Sequence, residues 1–364
     1  MTSLELRNIS KGFKSGKVLD DVSLSVKAGE IVVVFGPSGT GKTVLLRMIA
    51  GVHYPDTGTI AIDGEDVTDA SPEARGVGMA FQNFALFPHF STFENIATPL
   101  EARDTPAPKL KEQVGAIARM LKIDHVLGHA PRELSNGQKQ RTALARALVA
   151  QPKVLLLDDP LRNVDAKLRY EMRLELPRLL RTFNAAVIYV TQDYKEAMAL
   201  GDHIAVLRNG RIEQWATPMS VYREPVSIDV ARLFGDPTIN LLPCKLQMNG
   251  SGSITLLGRH VPVSGAYAHA AGRDLIAGLR PEHVVVSEAE APDAIPFDLD
   301  AVMPVNVRSV LYLRGAQGEE LLATVGETEA AKFGRGQKVW VRFAPSDLLL
   351  FDAASRQRLL PQVH

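Results

Sequence analysis

Apolar residues follow two patterns over the first 235 positions of the chain. Leu110, Val114, Ile117 and Leu121 recur at the spacing of one face of a helix. Elsewhere, apolar residues form short uninterrupted runs, which are typical of strands buried on both faces of a parallel sheet covered by helices. The two patterns together predict an α/β domain. The uninterrupted runs are Ile31–Phe35, Val154–Leu157 and Ala186–Val190.

After residue 235 the pattern changes to alternating apolar and polar positions, which predict strands with one buried face. Turn signals at Asn249–Gly250 and Gly334–Gly336 separate the segments, and the acidic stretch Glu288–Pro296 is predicted as a loop. The change predicts two dissimilar domains, 1–235 and 236–364, the second being a small antiparallel barrel of OB-like units. The alternating positions are Val305 and Val307 in one segment, and Val339, Val341 and Phe343 in another.

Composition narrows the class of protein. The 364 residues include 41 Lys and Arg against 41 Asp and Glu, and this balance argues against a nucleic-acid binder or a polybasic membrane anchor. The one cysteine, Cys244, excludes an internal disulfide framework and is interpreted as a small buried apolar residue. The first residues lack the pattern of a secretory signal, and no apolar run is long enough to span a bilayer.

A glycine-rich segment follows the first buried run and precedes a predicted helix from Val44 to Ala50. It fits the pattern GxxxxGK[ST], in which backbone N–H groups converge on phosphate oxygens at the positive end of a helix. Lys42 would contribute a point charge for the β- and γ-phosphates, and Thr43 a hydroxyl for Mg²⁺. The pattern indicates a nucleoside triphosphate site. The residues are Gly36, Pro37, Ser38, Gly39, Thr40, Gly41, Lys42 and Thr43.

Two carboxylates stand at the end of a second buried run. Asp158 and Asp159 follow Val154–Leu157, and ligands of open α/β sheets bind at the carboxyl ends of the strands. We expect Asp158 to hold Mg²⁺ and Asp159 to face an attacking water. Without Lys42 the pair would be interpreted as a cap on a strand entering a turn.

Five motifs in order resemble the ATPases of ABC transporters. Residues Leu134–Arg141 are similar to the signature sequence LSGGQ, Gln82 to the Q-loop and Asn163–Asp165 to the D-loop. Residues Gly78–Gln82, Leu279–His283 and the β-rich C-terminal extension resemble the ATPases of carbohydrate importers of the maltose-transporter type. The resemblance covers almost the whole chain.

The resemblance implies a fold class and a set of site residues. The fold is an α/β P-loop ABC ATPase domain with a helical subdomain, followed by a small all-β OB-like or TOBE domain with a regulatory or dimerisation role. Phe13 would stack on adenine, and Gln82 would join Thr43 and Asp158 around Mg²⁺. Four signature residues at the start of a helix, predicted over Gln138–Ala150, would face the γ-phosphate of a neighbouring subunit's ATP. These are Ser135, Asn136, Gly137 and Gln138.

Three positions depart from the family's pattern. Asp159 stands where the family has a catalytic Glu, and its side chain is one methylene shorter. Gln192 replaces the switch histidine, so it can donate a hydrogen bond but cannot carry a positive charge. Asn136 replaces a signature glycine, a milder change because Gly137 is retained. We therefore expect an attenuated catalytic site.

Two assemblies remain open at this point. Either the chain pairs with a different ATPase and its own site is weak, or it forms a homodimer with two slow sites; two losses in one site favour the heterodimer. The expected partners are two membrane-spanning permease subunits and an extracytoplasmic solute-binding protein. The expected location is peripheral, on the cytoplasmic face of the inner membrane, and the expected solute is a carbohydrate or polyol.

Other functions fit the sequence less well than transport does. A soluble ABC ATPase acting on nucleic acid or ribosomes would carry two cassettes, coiled-coil insertions or basic arms, and none of these is seen. A P-loop kinase or GTPase would not need Leu134–Gln138. The apolar segment Phe84–Phe90 is interpreted either as core packing or as a groove for a permease helix.

Overall fold

A computed structural model describes residues 2–14, 16–249 and 251–362. Contacts divide the chain into two compact units, residues 1–220 and 221–364. Gly250, part of the predicted turn at 249–250, lies outside the described residues.

The first unit contains a mainly parallel sheet with the strand order β10-β9-β3-β8-β7-β6, in which only the β9–β10 pairing is antiparallel. Strands β3, β7 and β8 are buried along their whole length, which confirms the interpretation of the uninterrupted runs. The strands are β3 (Ile31–Phe35), β6 (Val77–Ala80), β7 (Val154–Asp158), β8 (Ala186–Thr191), β9 (His203–Arg208) and β10 (Arg211–Ala216).

A second, antiparallel sheet of this unit has the order β2-β1-β4-β5. Its apolar side chains share one core with those of β3, β7 and β8. The strands are β1 (Thr2–Phe13), β2 (Gly16–Lys27), β4 (Thr57–Ile62) and β5 (Glu65–Asp66).

Three helices of the first unit were predicted, and each lies close to its predicted position. The helix after the glycine-rich loop ends before Gly51, whose φ of 80° is the left-handed geometry of a helix stop. Leu110, Val114 and Ile117 lie on the buried face of one helix, as predicted, and Leu121 is its buried C-cap. The helices are α1 (Lys42–Ile49), α2 (Thr92–Glu101), α3 (Ala107–Met120), α4 (Asn136–Leu148), α5 (Ala166–Arg181) and α6 (Tyr194–Leu200); α7 (Pro218–Arg223) spans the division between the units.

The second unit is built on two antiparallel sheets, as the alternation predicts, with the orders β13-β12-β11-β14-β20 and β15-β19-β16-β17-β18. Their inner faces form one apolar core. The elements are α8 (Ile228–Leu233), β11 (Asn240–Asn249), β12 (Ser251–Leu256), β13 (Arg259–Pro262), β14 (Asp274–Leu279), β15 (Val285–Ser287), β16 (Ile295–Val305), β17 (Arg308–Arg314), β18 (Glu320–Gly326), α9 (Glu327–Ala330), β19 (Lys338–Arg342) and β20 (Leu349–Asp352).

One predicted strand in this unit is wrong. Val305 pairs with Arg308, so Asn306 and Val307 form the two-residue turn of the β16–β17 hairpin. Asn306 has a φ of 56°, which asparagine tolerates better than most residues, and Val307 is 82% exposed. The alternation at Val339 and Val341 does mark a strand, since both residues are fully buried on β19.

The predicted loop at 288–296 ends slightly early. Strand β16 begins at Ile295 and includes Pro296, which pairs with β19 at a position before the β17 pairing starts. A proline is tolerated there because its missing N–H faces no second strand.

Cys244 is buried in the core, and burial raises the pKa of its thiol to about 11.

Candidate functional site

The glycine-rich loop Gly36–Thr43 joins β3 to α1 and holds its backbone in a shape that side chains would disturb. Gly39 and Gly41 have φ values of 82° and 99°, in the left-handed region that favours glycine. A Cβ atom on Gly36 would lie 2.3 Å from the carbonyl oxygen of Leu207. The glycines are therefore required by the backbone path. Glycine-rich loops of this kind at the start of a helix can direct several N–H groups at a bound anion.

Lys42, the first residue of α1, lies across this loop. Its Nζ donates hydrogen bonds to the carbonyl oxygens of Gly36 at 2.7 Å and Pro37 at 2.6 Å. Burial lowers the pKa of Lys42, while the nearby carboxylates of Asp159 and Asp158 oppose that shift. The ammonium group thus lies between the loop and the two acids.

Asp158 ends β7 beside the loop. Thr43 donates a hydrogen bond from Oγ1 to Asp158 Oδ1 at 3.1 Å, so one hydroxyl and one carboxylate meet at the edge of the sheet. Burial raises the pKa of Asp158, and the Thr43 hydrogen bond acts against that shift. Within the described part of the chain, no group of three or more His, Cys, Asp or Glu side chains could hold a metal. The pair fits Mg²⁺, which prefers oxygen ligands and commonly takes its others from water and phosphate.

Asp159 occupies a strained position directly after β7. Its φ is 44°, and its backbone N–H donates to the carbonyl oxygen of Val190 at 2.8 Å, which continues the pairing with β8 by one residue. Burial raises the pKa of its carboxyl group, and the charge of Arg162, 3.7 Å away, acts against that shift. Thr191 Oγ1 lies 3.5 Å from Asp159 Oδ1. The short carboxylate is held among groups of this chain.

Gln192 follows β8 and faces the glycine-rich loop. Ser38 donates a hydrogen bond from Oγ to Gln192 Oε1 at 2.8 Å. The bond joins the two walls of the site through side chains that stand far apart in the sequence. Gln192 therefore reaches the glycine-rich loop.

The Q-loop and the D-loop meet at the same edge. Gln82 comes two residues after β6, and Asn163 donates a hydrogen bond from Nδ2 to its carbonyl oxygen at 2.9 Å. Because β6 is the neighbour of β7, the end of the sheet order brings Gln82 next to the acids.

A cleft of about 230 Å³ collects most of the predicted residues. The predicted residues that line it are Ser38, Gly39, Gly41, Lys42, Thr43, Gln82, Asp158, Asp159 and Gln192. Gly36, Pro37 and Thr40 belong to the same loop without lining the cleft. Four lining residues were missed by the sequence analysis, namely Val18, Val44, Val190 and Arg162. Of these, Arg162 had a sequence signal, because it lies three residues after Asp159 in the same loop.

Phe13 stands outside the lining of the cleft. Its ring is 43% exposed at the end of β1, where it contacts His53 edge to face with 5.8 Å between ring centroids. Lys11 Nζ lies 5.7 Å from the centroid of the Phe13 ring. The ring is thus not a core residue and offers a face at the surface.

The signature residues form the start of α4. Ser135 Oγ accepts a hydrogen bond from the N–H of Gln138, and Gln138 Oε1 accepts one from the N–H of Ser135 at 2.9 Å, which confirms the predicted N-cap. Asn136 is exposed and Gly137 is buried against Leu168 of α5. None of the four signature residues lines the cleft around Lys42 in the described structure.

Behind Asp159 lies a buried acidic residue that the sequence analysis missed. Glu196 of α6 is 1% exposed and accepts hydrogen bonds from Tyr189 Oη at 2.8 Å and Thr191 Oγ1 at 2.9 Å. Burial raises its pKa to about 6. The sequence offers little indication of this buried glutamate, because its partner Tyr189 lies in an otherwise apolar strand and is typical of a core residue.

The segment Phe84–Phe90 is part core and part surface, so each of its two interpretations, core packing and a permease groove, fits part of it. Phe84 is buried, whereas Phe87 and Phe90 are 49% and 39% exposed with ring centroids 5.3 Å apart. Asn95 holds the segment, since its side chain accepts from the N–H of Phe87 at 2.8 Å and donates to the carbonyl oxygens of Phe87 and Phe90. The last aromatic residues of the segment therefore form a braced surface.

Family comparisons agree with the motifs. The ABC transporter family matches residues 19–162, the MalK OB fold domain matches 235–284, and the TOBE domain matches 277–351. The match to the ABC family contains the loop, Gln82, the signature and both acids.

Curated relatives align from end to end. The sn-glycerol-3-phosphate import ATP-binding protein UgpC of Escherichia coli K12 is 39% identical over 99% of this chain and 100% of its own length. The protein of that name from Escherichia coli O1:K1 is 40% identical with the same coverage, and that from Shigella sonnei is 39% identical. This chain belongs to the ATP-binding proteins of carbohydrate-importer ABC transporters.

A solved structure supports the catalytic fold of this importer ATPase. The dimeric post-hydrolysis state of the ATP-binding cassette MJ0796, bound to ADP and phosphate, matches with a TM-score of 0.53 and 29% identity, over 59% of this chain and 98% of that one. As a member of this family the chain is an ATPase and binds ATP. Its full-length relatives are import proteins, so an action on nucleic acid or ribosomes is not favoured. Across the described residues, no helix combines the length and apolar character needed to cross a membrane.

Proposed function

We propose that this importer ATPase couples ATP binding and hydrolysis to the uptake of a carbohydrate or polyol-type solute, with sn-glycerol 3-phosphate as the leading candidate. The identity of 39–40% over the full length of the sn-glycerol-3-phosphate import proteins supports this solute. The cleft that unites the glycine-rich loop, Asp158, Asp159 and Gln192 is the observation that supports the ATP site.

Within this proposal the loop Gly36–Thr43 holds the phosphates through its backbone N–H groups, and Lys42 neutralises the β- and γ-phosphates. Thr43, Asp158 and Gln82 hold Mg²⁺. When bound, the ion neutralises phosphate charge and orients the phosphoryl group. Phe13, with its exposed ring, stacks on adenine.

The signature residues Ser135, Asn136, Gly137 and Gln138 are proposed to face the nucleotide of a second ATPase subunit. Two observations support this role. Ser135 and Gln138 cap the start of α4, where the helix dipole favours an anion. These residues also stand apart from this chain's own cleft, so an anion there would belong to another subunit.

We propose that the hydrolytic residues are weakened. Asp159 is one methylene shorter than the family's Glu, and it lies among Thr191, Arg162 and the end of β8. Gln192 accepts a hydrogen bond from Ser38 and has no ionisable proton to relay. Positioned acid–base catalysis contributes about 10²–10⁴-fold, so we expect slow turnover at this site.

We propose a heterodimer, because Asp159 and Gln192 both belong to the site built on this chain's Lys42. The purified chain, assayed alone and then with candidate partner ATPases, tests the pairing. Slow hydrolysis alone and fast hydrolysis with a different ATPase are expected. Turnover typical of a transport ATPase from the chain alone would contradict the weakened site and favour the homodimer.

The proposed membrane partners are two permease subunits, with an extracytoplasmic binding protein delivering the solute, and the proposed location is the cytoplasmic face of the inner membrane. The exposed pair Phe87 and Phe90, braced by Asn95, supports a docking surface for a permease. Co-purification from detergent-solubilised membranes tests this. Phe87→Ala is expected to lose the permease while the ATPase stays folded, and retention of the permease by Phe87→Ala together with Phe90→Ala would contradict it.

We propose the domain limits 1–235 for the ATPase and 236–364 for a regulatory or dimerisation domain. The match to the OB domain from residue 235 supports the limit. Residues 221–235 belong to the second compact unit, so truncations after residue 220 and after residue 235 should both be compared for ATP binding and folding.

The solute is tested by transport. Vesicles that contain the reconstituted importer are expected to accumulate radiolabelled sn-glycerol 3-phosphate when ATP is inside and the binding protein outside. Accumulation of a maltose-type sugar with no sn-glycerol 3-phosphate uptake would overturn the leading candidate and keep the carbohydrate importer.

A further inference from the structure

Arg162 is a cation of the nucleotide cleft that none of the motifs accounts for. It lies in the loop after β7, and its side chain lines the same cleft as Lys42 and Gln192. The side chain is 50% exposed, and its Nη1 lies 3.7 Å from Asp159 Oδ2. The guanidinium group is therefore close to the phosphate-binding loop but is not sealed into the protein.

The contacts of Arg162 differ from those of a structural arginine in the same region. Arg169 donates hydrogen bonds to the carbonyl oxygens of Leu161, Arg162 and Val164, and so fixes the backbone of this loop. Among the described residues, Asp159 is the polar partner of the Arg162 guanidinium, and their distance of 3.7 Å is longer than a hydrogen bond. The N–H donors of Arg162 are thus available to a ligand.

Charge in the cleft points to an anion. Lys42 and Arg162 line one cleft together with the carboxylates of Asp158 and Asp159. Burial is the main cause that lowers the pKa of Lys42, and the like charge of Arg162 adds to that shift. Two cations beside a row of backbone N–H groups suit a ligand with several negative charges. Arginine is well matched to phosphate because its planar fork can donate two parallel hydrogen bonds.

We propose that Arg162 binds the γ-phosphate of the ATP held on its own chain and supplies the positive charge that Gln192 cannot carry. Asp159 then positions the guanidinium group. This inference rests on the proposed nucleotide site, and it assigns to Arg162 the discrimination of ATP from ADP, since ADP lacks the group that it contacts.

The test is calorimetric titration of the full-length chain with ADP and with a non-hydrolysable ATP analogue, both with Mg²⁺. Arg162→Ala is expected to weaken binding of the analogue about tenfold to 100-fold, as for a lost charged hydrogen bond, and to change ADP affinity by less than about twofold. Arg162→Lys should fall between the wild type and Arg162→Ala. Arg119→Ala, which removes an exposed arginine on α3, is the matched control and should change neither affinity.

Three outcomes would overturn the assignment: both affinities unchanged in Arg162→Ala, both lowered equally, or tighter binding of the ATP analogue. Equal loss of both affinities would indicate that Arg162 has a structural role. Tighter binding of the analogue would indicate that Arg162 serves to hold Asp159 in place rather than to bind phosphate. If Arg162→Ala does not fold, Arg162→Gln replaces it in the same comparison. A wild-type chain that binds neither nucleotide would instead contradict the proposed ATP site, so the two failures are distinguishable.

Discussion

The glycine-rich loop Gly36–Thr43 and the opposite wall of the cleft, residues 158–162 and 190–193, are built from different kinds of groups. The loop presents mostly backbone atoms, held in place by glycine φ values and by the start of α1. The opposite wall presents side chains, namely two buried carboxylates, an amide and an arginine.

The difference explains how the two halves of the site can change separately. Backbone donors do not depend on residue identity, so the phosphate-binding half keeps its chemistry as long as the glycines and Lys42 remain. Side-chain catalysis depends on reach and charge, and a single methylene or a missing imidazole alters it. We therefore expect this chain to bind ATP well and to hydrolyse it slowly, and four measurements examine that contrast.

The largest effect is expected from Lys42→Ala. Removing the ammonium group that lies across the loop should weaken ATP binding by about 100-fold and abolish hydrolysis, because the phosphates lose a charged partner. Fluorescent ATP titration measures the change, and Lys111→Ala, an exposed lysine on α3, is the control. Unchanged binding in Lys42→Ala would mean that the loop does not hold the nucleotide.

The next effect tests the weakened wall. The double variant Asp159→Glu with Gln192→His restores the longer carboxylate and the imidazole, and hydrolysis should rise about 100-fold while ATP affinity changes little. Steady-state phosphate release with a stimulating partner measures the rate. Each single variant should give a smaller gain, and a double variant no faster than the wild type would count against attenuation.

A pH experiment tests the buried network behind Asp159. Because the pKa of Glu196 is raised from an ordinary 4.5 to about 6, the folded state binds more protons between these values and the contribution of Glu196 to stability falls as pH rises through them. The difference corresponds to about 2 kcal/mol. Relative to the wild type, Glu196→Gln should therefore gain up to about 2 kcal/mol in free energy of unfolding from pH 4.5 to 7, measured by urea titration.

A control of opposite sign is available in the same unit. Hydrogen bonds from Ser91 lower the pKa of Glu94. Glu94 therefore stabilises the fold at pH values above its ordinary pKa, and this contribution is lost as pH falls. Glu94→Gln should therefore lose stability relative to the wild type as pH rises. If Glu196→Gln instead loses stability as pH rises, as Glu94→Gln should, then folding lowers the pKa of Glu196 and the prediction is wrong.

The smallest effect is expected from Ser38→Ala, which removes the hydrogen bond between the two walls. The bond to Gln192 is exposed, and the backbone N–H of residue 38 is retained, so ATP affinity should change by less than about threefold. The same titration measures it, with Gln192→Ala as the partner variant. A tenfold loss in Ser38→Ala would show that the side chain, rather than the backbone, carries phosphate binding in the loop.

Local patterns predicted the elements of the site but not all of its members. The glycine-rich loop, the strands and the N-cap at Ser135 follow from short-range rules of glycine geometry, burial and capping. Arg162 and Glu196 were missed because a charged residue in a loop and a glutamate on a short helix have many ordinary roles. The turn at Asn306 and Val307 was mistaken for a strand because alternation over four residues does not reveal where a hairpin reverses.

By itself the sequence determined the phosphate loop, the parallel and antiparallel classes of sheet, and the two replacements at Asp159 and Gln192. These depend on residue types and on neighbours within a few positions. Only the tertiary structure decided that Thr43 meets Asp158, that Ser38 meets Gln192 and that Arg162 shares their cleft. Those contacts depend on the strand order β9-β3-β8-β7-β6, because pairing of distant strands decides which loop ends become neighbours at one edge of the sheet.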